Sequence, residues 1–150
     1  MKRAALRMRG VTLVELMITL LVVAILAAVA VPSYRSYVLR AQRTEARTAL
    51  TRIQAAQERF LLQQNRYATD AELEAAPPAG LGQPRNMESN KYGITIQNAA
   101  TPTEYSITAT ALAAGGQQDD TRCTLMRIDH NGIKSAQAAD STDTAQECWR

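Results

Sequence analysis

An apolar stretch close to the N-terminus is the feature that most constrains what this chain can fold into. Residues 11–31 read VTLVELMITLLVVAILAAVAV, and only Thr12, Glu15 and Thr19 interrupt the apolar side chains. A helix of that length, at a rise of about 1.5 Å per residue, covers about 30 Å, the thickness of a bilayer hydrocarbon core. A secretory signal peptide has a shorter apolar region, followed by a small-residue cleavage site. The stretch therefore predicts a membrane-spanning helix.

Basic residues are concentrated ahead of this helix. The first ten residues contain Lys2, Arg3, Arg7 and Arg9, whereas the other 140 residues carry 13 basic and 14 acidic groups. The formal charge of +3 thus belongs to the first ten residues. Basic residues before a membrane helix keep that end in the cytoplasm, so the sequence predicts that the rest of the chain faces the periplasm. Net charge gives no support for DNA binding, which requires a basic patch on the folded part.

An amphipathic helix is predicted over residues 33–64, where neither Gly nor Pro occurs. Apolar side chains recur there at helical spacing, as expected of a core-facing stripe: Ala46, Leu50, Ile53, Phe60 and Leu61. Charged side chains occupy the other positions: Arg40, Arg43, Arg47, Arg52 and Glu58. The membrane helix is expected to continue into this one, with a kink at Pro32.

The remainder of the chain predicts a loop region followed by a small sheet. Residues 65–91 are rich in Pro, Gly and Asn, which favour loops, with a short helical turn predicted after Asp70. Alternating patterns predict strands over 92–97, 104–112 and 122–129. Asn131-Gly132 predicts a tight turn into a fourth short strand starting at Ile133. The fold class predicted is α+β: a long N-terminal helix packed on an antiparallel sheet of three or four strands, ending in a polar, loop-like tail from Ala136.

The two cysteines, Cys123 and Cys148, both lie near the C-terminus. An even number of cysteines in an exported domain favours a disulfide over two free thiols. Closing such a loop stabilises a head of this small size by roughly 3–4 kcal/mol in the chain-entropy description. The neighbouring Trp149 is expected to pack against this disulfide rather than to serve as an exposed adhesive group.

The residues around the start of the apolar helix carry a family resemblance. The segment Arg9-Gly10-Val11-Thr12-Leu13-Val14-Glu15-Leu16 resembles the N-terminal signal of type IV pilins and pseudopilins. Residues 1–64 resemble the family, including the position of Pro32, whereas beyond residue 64 only the architecture and the paired cysteines do. Within the type IVa group, the small head and the Cys-Trp ending look most like a minor pilin of the PilE type.

This resemblance implies three segments: a leader at 1–10, a membrane and polymerisation helix at 11–32, and a periplasmic head at 33–150. A prepilin peptidase would cut between Gly10 and Val11 and would N-methylate Val11, where the family usually has Phe. Glycine suits the cut site because a residue without Cβ allows close backbone approach. The subunit would then join other pilin subunits, through an inner-membrane assembly platform, in an extracellular pilus that supports twitching motility and adhesion.

Glu15 is the residue whose role the resemblance defines best. An acidic side chain within a membrane helix costs about 2.5–3.5 kcal/mol near the bilayer centre and is a functional candidate by default. In the family this carboxylate pairs with the α-amine of the first residue of a neighbouring subunit, which here is Val11 after cleavage. Such a pair would set the register of one helix on the next, since buried ion pairs contribute specificity more reliably than stability.

Other function classes are less well supported by the sequence. A type II secretion pseudopilin would usually carry a calcium loop in place of the disulfide. A competence pilin that binds DNA would need clustered cations, whereas those of the head are scattered along the sequence: Arg66, Arg85, Lys91, Arg122, Arg127, Lys134 and Arg150. Asp119, Asp120 and Asp129 do not form a spaced set of metal ligands, and His130 lies in a predicted turn. Neither an enzyme site nor a cofactor is predicted.

Overall fold

The structure, a computed structural model, describes residues 12–98 and 103–150. It divides the chain into two compact units, with the boundary between Val38 and Leu39. The first helix, α1, spans Leu13–Gln64 and continues through Pro32 without a break in its helical assignment. A kink at Pro32 stays a prediction, as does the division of the chain at residues 10 and 32.

The N-terminal unit is helical from Leu13 onward and has the character of a membrane span. Its most apolar 18-residue window has a mean hydropathy of 2.8, and none of that window is buried by other residues of the chain. The hydroxyl oxygen of Thr12 accepts a hydrogen bond from the backbone N–H of Glu15 at 3.2 Å, which satisfies one of the free N–H groups of the first turn.

The C-terminal unit contains a four-stranded antiparallel sheet in the order β1-β2-β3-β4. The strands are β1 Tyr92–Asn98, β2 Tyr105–Ala111, β3 Leu125–Asp129 and β4 Lys134–Gln137. Short 3₁₀ turns lie at Asp70–Glu72 and Gln117–Asp119, and a one-turn helix, α2, spans Ala145–Cys148. All four predicted strands are present as a meander, which confirms the predicted fold class.

One apolar core joins the second half of α1 to the inner face of the sheet. The helix contributes side chains at the predicted spacing, including Leu50, Ile53 and Phe60. The strands contribute alternate residues, since successive side chains in a strand point to opposite faces. Those alternate residues are Tyr92, Ile94, Ile96, Ile107, Ala109, Met126, Ile128 and Ala136.

Helix α1 ends where predicted, and a buried side chain fixes the chain just beyond it. Asn65 has φ +54°, a left-handed conformation that ends the helix, and its N–H still donates to the carbonyl of Leu61. Gln57 is fully buried and makes two hydrogen bonds to the backbone of Ala68, at 2.8 and 3.0 Å. These bonds turn the loop region back along the helix.

Two features differ from the sequence-based expectations. Arg43, expected among the charged residues outside the core stripe, is buried and only 7% exposed, because it has a carboxylate partner distant in sequence. The C-terminal tail is not simply loop-like: Ala136 lies inside β4 and the chain ends in α2. The tail is ordered by hydrogen bonds to the sheet, among them the N–H of Thr144 to the carbonyl of Ala136.

Candidate assembly segment and disulfide region

The processing residues and the assembly residue fall at the start of the described chain. Gly10 and Val11 lie outside the described residues. Glu15 is exposed in the first turn of α1, where an acidic side chain also complements the partial positive charge of the helix N-terminus. The carboxylate of Glu15 has no ion-pair partner among the described residues of this chain.

The apolar side chains that follow Glu15 are exposed along all sides of the helix. For the large apolar side chains from Leu16 to Val31, the exposed fractions range from 49% at Val22 to 71% at Val29. Soluble proteins rarely expose contiguous apolar patches larger than a few hundred Å², so a surface of this kind indicates contact with lipid or with other helices. The segment therefore supplies the apolar surface that both a membrane anchor and a helical bundle require.

Cys123 and Cys148 form a disulfide with a Cα–Cα distance of 5.9 Å, which confirms the predicted pairing. Both residues are fully buried. Trp149 packs against the same core, half-buried, and its indole N–H donates to the carbonyl of Ser135 at 3.0 Å. The ammonium of Lys134 lies 5.1 Å from the centre of the indole ring, within the range of a cation–π contact.

A buried polar network lies beside this disulfide. The guanidinium of Arg43 donates two hydrogen bonds to the carboxylate of Asp120, at 2.7 and 2.8 Å. The amide of Gln117 donates to Asp120 and to the hydroxyl of Tyr92, which in turn donates to the carbonyl of Cys123 at 3.1 Å. The bonds to Asp120 raise the pKa of Arg43, and burial raises the pKa of Tyr92 to about 12.

Sequence reasoning missed this network because its members are far apart along the chain. Asp120, considered above as a cation ligand, is 2% exposed and serves as the acceptor for Arg43. Arg43 was hard to recognise because its neighbours Arg40 and Arg47 give the same charged pattern. The only local signal was its place beside the stripe that begins at Ala46.

Of the seven cations that follow α1, four are engaged by a carboxylate or a backbone carbonyl within the chain. Arg66 pairs with Glu72, Arg85 with Asp70, and Arg122 with Glu147, while the ammonium of Lys91 donates to the carbonyl of Gly115. Among the described residues, Arg127, Lys134 and Arg150 take part in no ion pair. The guanidinium of Arg127 donates to the hydroxyl of Thr108 on β2, whereas Lys134 lies over the ring of Trp149 and Arg150 follows Trp149 in the chain.

The described residues hold no group of His, Cys, Asp and Glu side chains that could bind a metal ion. His130 is half-buried in the turn after β3, with its ring 6.4 Å from that of Tyr105 in an edge-to-face arrangement. Asp129 accepts hydrogen bonds from the backbone N–H groups of Asn131 and Ile133, which fixes that turn. These two side chains therefore have structural roles in the hairpin.

Comparison with known families identifies the chain. Residues 6–31 match the prokaryotic N-terminal methylation motif, and residues 32–127 match the family described as type IV minor pilin ComP, DNA uptake sequence receptor. This second match covers more than half of the 150 residues. This chain is a type IV pilin of that family. The prediction made from the segment around Gly10 and Glu15 is confirmed at the level of the family.

Curated relatives of this pilin are themselves pilus proteins. It is 37% identical over 95 residues to the type IV major pilin protein PilA of Myxococcus xanthus, which is 63% of this chain and 39% of that protein. It is 33% identical over 109 residues to a type IV major pilin protein PilE1 of Neisseria gonorrhoeae, 71% of this chain and 59% of that protein. The pilin thus spans less than two thirds of either relative.

A solved type IV pilin from Shewanella oneidensis aligns with 64% of this chain and 89% of its own, at 18% identity and a TM-score of 0.46.

Proposed function

We propose that this pilin is a structural subunit of a type IV pilus, held in the inner membrane by residues 11–32 with its head in the periplasm until it is assembled. The observation that carries the proposal is the uncovered apolar surface of α1. In the bilayer, lipid covers this surface. Outside the bilayer, a surface of that length needs the same helix of other subunits. The relatives named as major pilins and the family named as a minor pilin support this role.

Processing precedes assembly in this proposal. A prepilin peptidase cleaves between Gly10 and Val11 and methylates the new amine of Val11. Before cleavage, the chain has no positive terminus near Glu15. After cleavage, an ammonium four residues before Glu15 becomes available to the carboxylate of an adjacent subunit, and the ion pair sets the axial register. The match to the methylation motif over residues 6–31 supports this step.

Mass spectrometry of the chain from cells with and without active prepilin peptidase tests the processing step. We expect loss of residues 1–10 and one added methyl group on Val11 only when the peptidase is present. An intact N-terminus in cells that contain the peptidase would contradict the proposal. The chain would then be a membrane-anchored periplasmic domain that does not polymerise.

Substitution of Glu15 tests the assembly step. Glu15→Gln should be processed normally yet fail to enter sheared filaments, because the amide cannot neutralise the ammonium of a neighbour. Thr19→Val is a matched control one turn later on the same exposed helix, where the hydroxyl only donates to the carbonyl of Leu16. Normal filament entry by the Glu15→Gln chain would rule out the proposed role of this carboxylate.

A second candidate function is DNA reception, named in the description of the matching family. The specific observation that favours it is the location of the unpaired cations. The ammonium of Lys134 lies over the ring of Trp149 and Arg150 is the next residue in the chain, and cations beside an aromatic platform suit nucleic-acid binding. The near-neutral charge outside the leader argues only against a strong, generic basic surface.

Salt-dependent binding of a duplex to the full chain in detergent tests this second function. Lys134→Gln and Arg150→Gln should each weaken binding and reduce the salt slope by about one, the change expected for one lost phosphate contact. Arg52→Gln, an exposed cation on α1, is the matched control. If all three variants bind equally, the surface near Trp149 is not a DNA site.

A further inference from the structure

Arg43 contacts both of the chain segments that carry the disulfide. Asp120, its bidentate partner, precedes Cys123 by three residues. Glu147 immediately precedes Cys148, and one of its carboxylate oxygens lies 3.6 Å from the third nitrogen of the same guanidinium. The side chain of Arg43 therefore contacts an acidic residue near each of the two cysteines.

A second arginine joins the same two segments directly. Arg122, adjacent to Cys123, donates from its guanidinium to Glu147 at 2.6 and 3.0 Å. Its backbone carbonyl accepts the hydroxyl of Thr144, the residue before α2, at 2.8 Å. Glu147 thus lies between two guanidinium groups, and the backbone on both sides of the disulfide is connected by bonds that do not depend on sulfur.

Each cysteine segment is also fixed separately to the rest of the head. The carbonyl of Cys123 accepts the hydroxyl of Tyr92, and Gln117 connects that hydroxyl to Asp120. After Cys148, the indole of Trp149 is bound to the carbonyl of Ser135 on β4. The bond from Gln117 to Asp120 has a charged, buried acceptor and is among the stronger ones that a protein makes, and with the neutral bonds it ties both segments to the head.

We propose that Arg43 is a positioning residue for disulfide formation: it holds the reduced Cys123 and Cys148 segments together before they are oxidised. The proposal is distinct from the pilus function and would hold for the head in any assembly. Pre-positioning of two reacting groups raises their effective concentration, because the entropy of bringing them together has already been lost. The reduced head would then be native-like around α2 rather than open.

The chemical step is ordinary thiol–disulfide exchange with a small disulfide oxidant such as oxidised glutathione. The thiolate of one cysteine attacks a sulfur of the oxidant and releases one glutathione thiolate. The thiolate of the other cysteine then attacks the mixed disulfide, forms the Cys123–Cys148 bond and releases the second glutathione. Two protein thiols are oxidised and one oxidant molecule is reduced to two thiols. Arg43 acts only on the second, intramolecular attack, through the distance between the two segments.

The equilibrium constant for this exchange distinguishes positioning from a general contribution to stability. A residue that stabilises the reduced and oxidised heads equally leaves this constant unchanged. A residue that positions the thiols in the reduced head raises it. The constant is obtained by equilibrating the full chain in detergent with reduced and oxidised glutathione, trapping free thiols with an alkylating reagent and counting them by mass.

We expect Arg43→Met to lower this constant by roughly tenfold or more, the size of effect that a bond to a charged group supports. Glu147→Gln, at a half-exposed position, should lower it severalfold. Arg85→Met is the matched control, since Arg85 pairs with Asp70 far from either cysteine in sequence. That variant should lower the thermal midpoint while leaving the constant within twofold.

Two results would overturn the proposal. The first is a constant for Arg43→Met within twofold of the unsubstituted chain, and the second is an equal loss in Arg85→Met. If Arg43→Met does not fold, Arg43→Lys replaces it, because lysine keeps the charge but cannot make both bonds to Asp120. An intermediate constant for Arg43→Lys, together with the loss in Glu147→Gln, would support positioning, and unchanged constants in both would refute it.

Discussion

The carboxylate of Glu72 accepts four hydrogen bonds, so its removal tests how much these bonds stabilise the loop region. It accepts two bonds from the guanidinium of Arg66, at 2.6 and 2.9 Å, and two from the N–H and hydroxyl of Thr69, at 2.8 and 3.0 Å. The bonds to Arg66 are the main cause that lowers the pKa of Glu72 from 4.5 to about 2. Thr69 and Glu72 together form a capping box.

Two substitutions separate the ion pair from the cap. Glu72→Gln keeps an oxygen that can accept from Thr69, so the charge and one bond from Arg66 are lost, and we expect the head to lose about 1 kcal/mol of unfolding free energy. Glu72→Ala loses the cap as well and should cost about 2 kcal/mol. Glu74→Gln is the matched control: its carboxylate is mostly exposed, 3.8 Å from Arg85, and the change should stay within about 0.5 kcal/mol.

Urea unfolding of the full chain in detergent, followed by the fluorescence of Trp149, measures these differences. The pH dependence is a second readout. Because the folded pKa of Glu72 is depressed, its contribution is fully present above the unfolded pKa of about 4.5 and is lost as the pH falls toward about 2. In Glu72→Gln, the unfolding free energy should therefore fall less between pH 4.5 and about pH 2 than it does in the unsubstituted chain. Equal acid sensitivity of Glu72→Gln and the unsubstituted chain would refute the reasoning.

Three further predictions concern the head. Cys148→Ser should lower the unfolding free energy by about 3 kcal/mol and make it insensitive to reducing agents in the same urea titration. Gly80→Ala should cost about 1–3 kcal/mol, because the new Cβ would overlap the carbonyl oxygens of Glu72 and Ala75, and a thermal melt would show the loss. Ile107→Ala, at a fully buried site, should cost about 2–5 kcal/mol by circular dichroism, whereas the exposed Ile133→Ala should change stability by less than about 0.5 kcal/mol.

The parts of the fold that the sequence predicts well are those coded by nearby residues. The stripe from Ala46 to Phe60 and the alternation in β1 to β3 depend on spacings of two to four residues. The fourth strand followed from Asn131-Gly132. The capping box was also readable, since Thr69 and Glu72 stand at the required spacing, although it was not recognised.

The contacts that could not be predicted from the sequence are those between segments that are far apart along the chain. Arg43 and Asp120 are separated by 77 residues, and each has charged neighbours that look the same in the sequence. Which arginine of the row Arg40, Arg43 and Arg47 is buried depends on where the loop before Cys123 comes to lie. That position follows from the sheet meander and not from any local pattern.

The two parts of the chain differ in how many of their polar groups have partners and in how much of their apolar surface is buried. Within the described head, only two buried side-chain polar atoms lack a partner, the hydroxyl of Tyr105 and the amide oxygen of Gln117. The N-terminal part of α1 is the opposite case, since its apolar side chains are exposed and the carboxylate of Glu15 has no partner among the described residues. A head with its own core and disulfide can keep its fold in different surroundings. A helix left uncovered by its own chain can pass from lipid to neighbouring subunits, which is the exchange that membrane-stored filament subunits require.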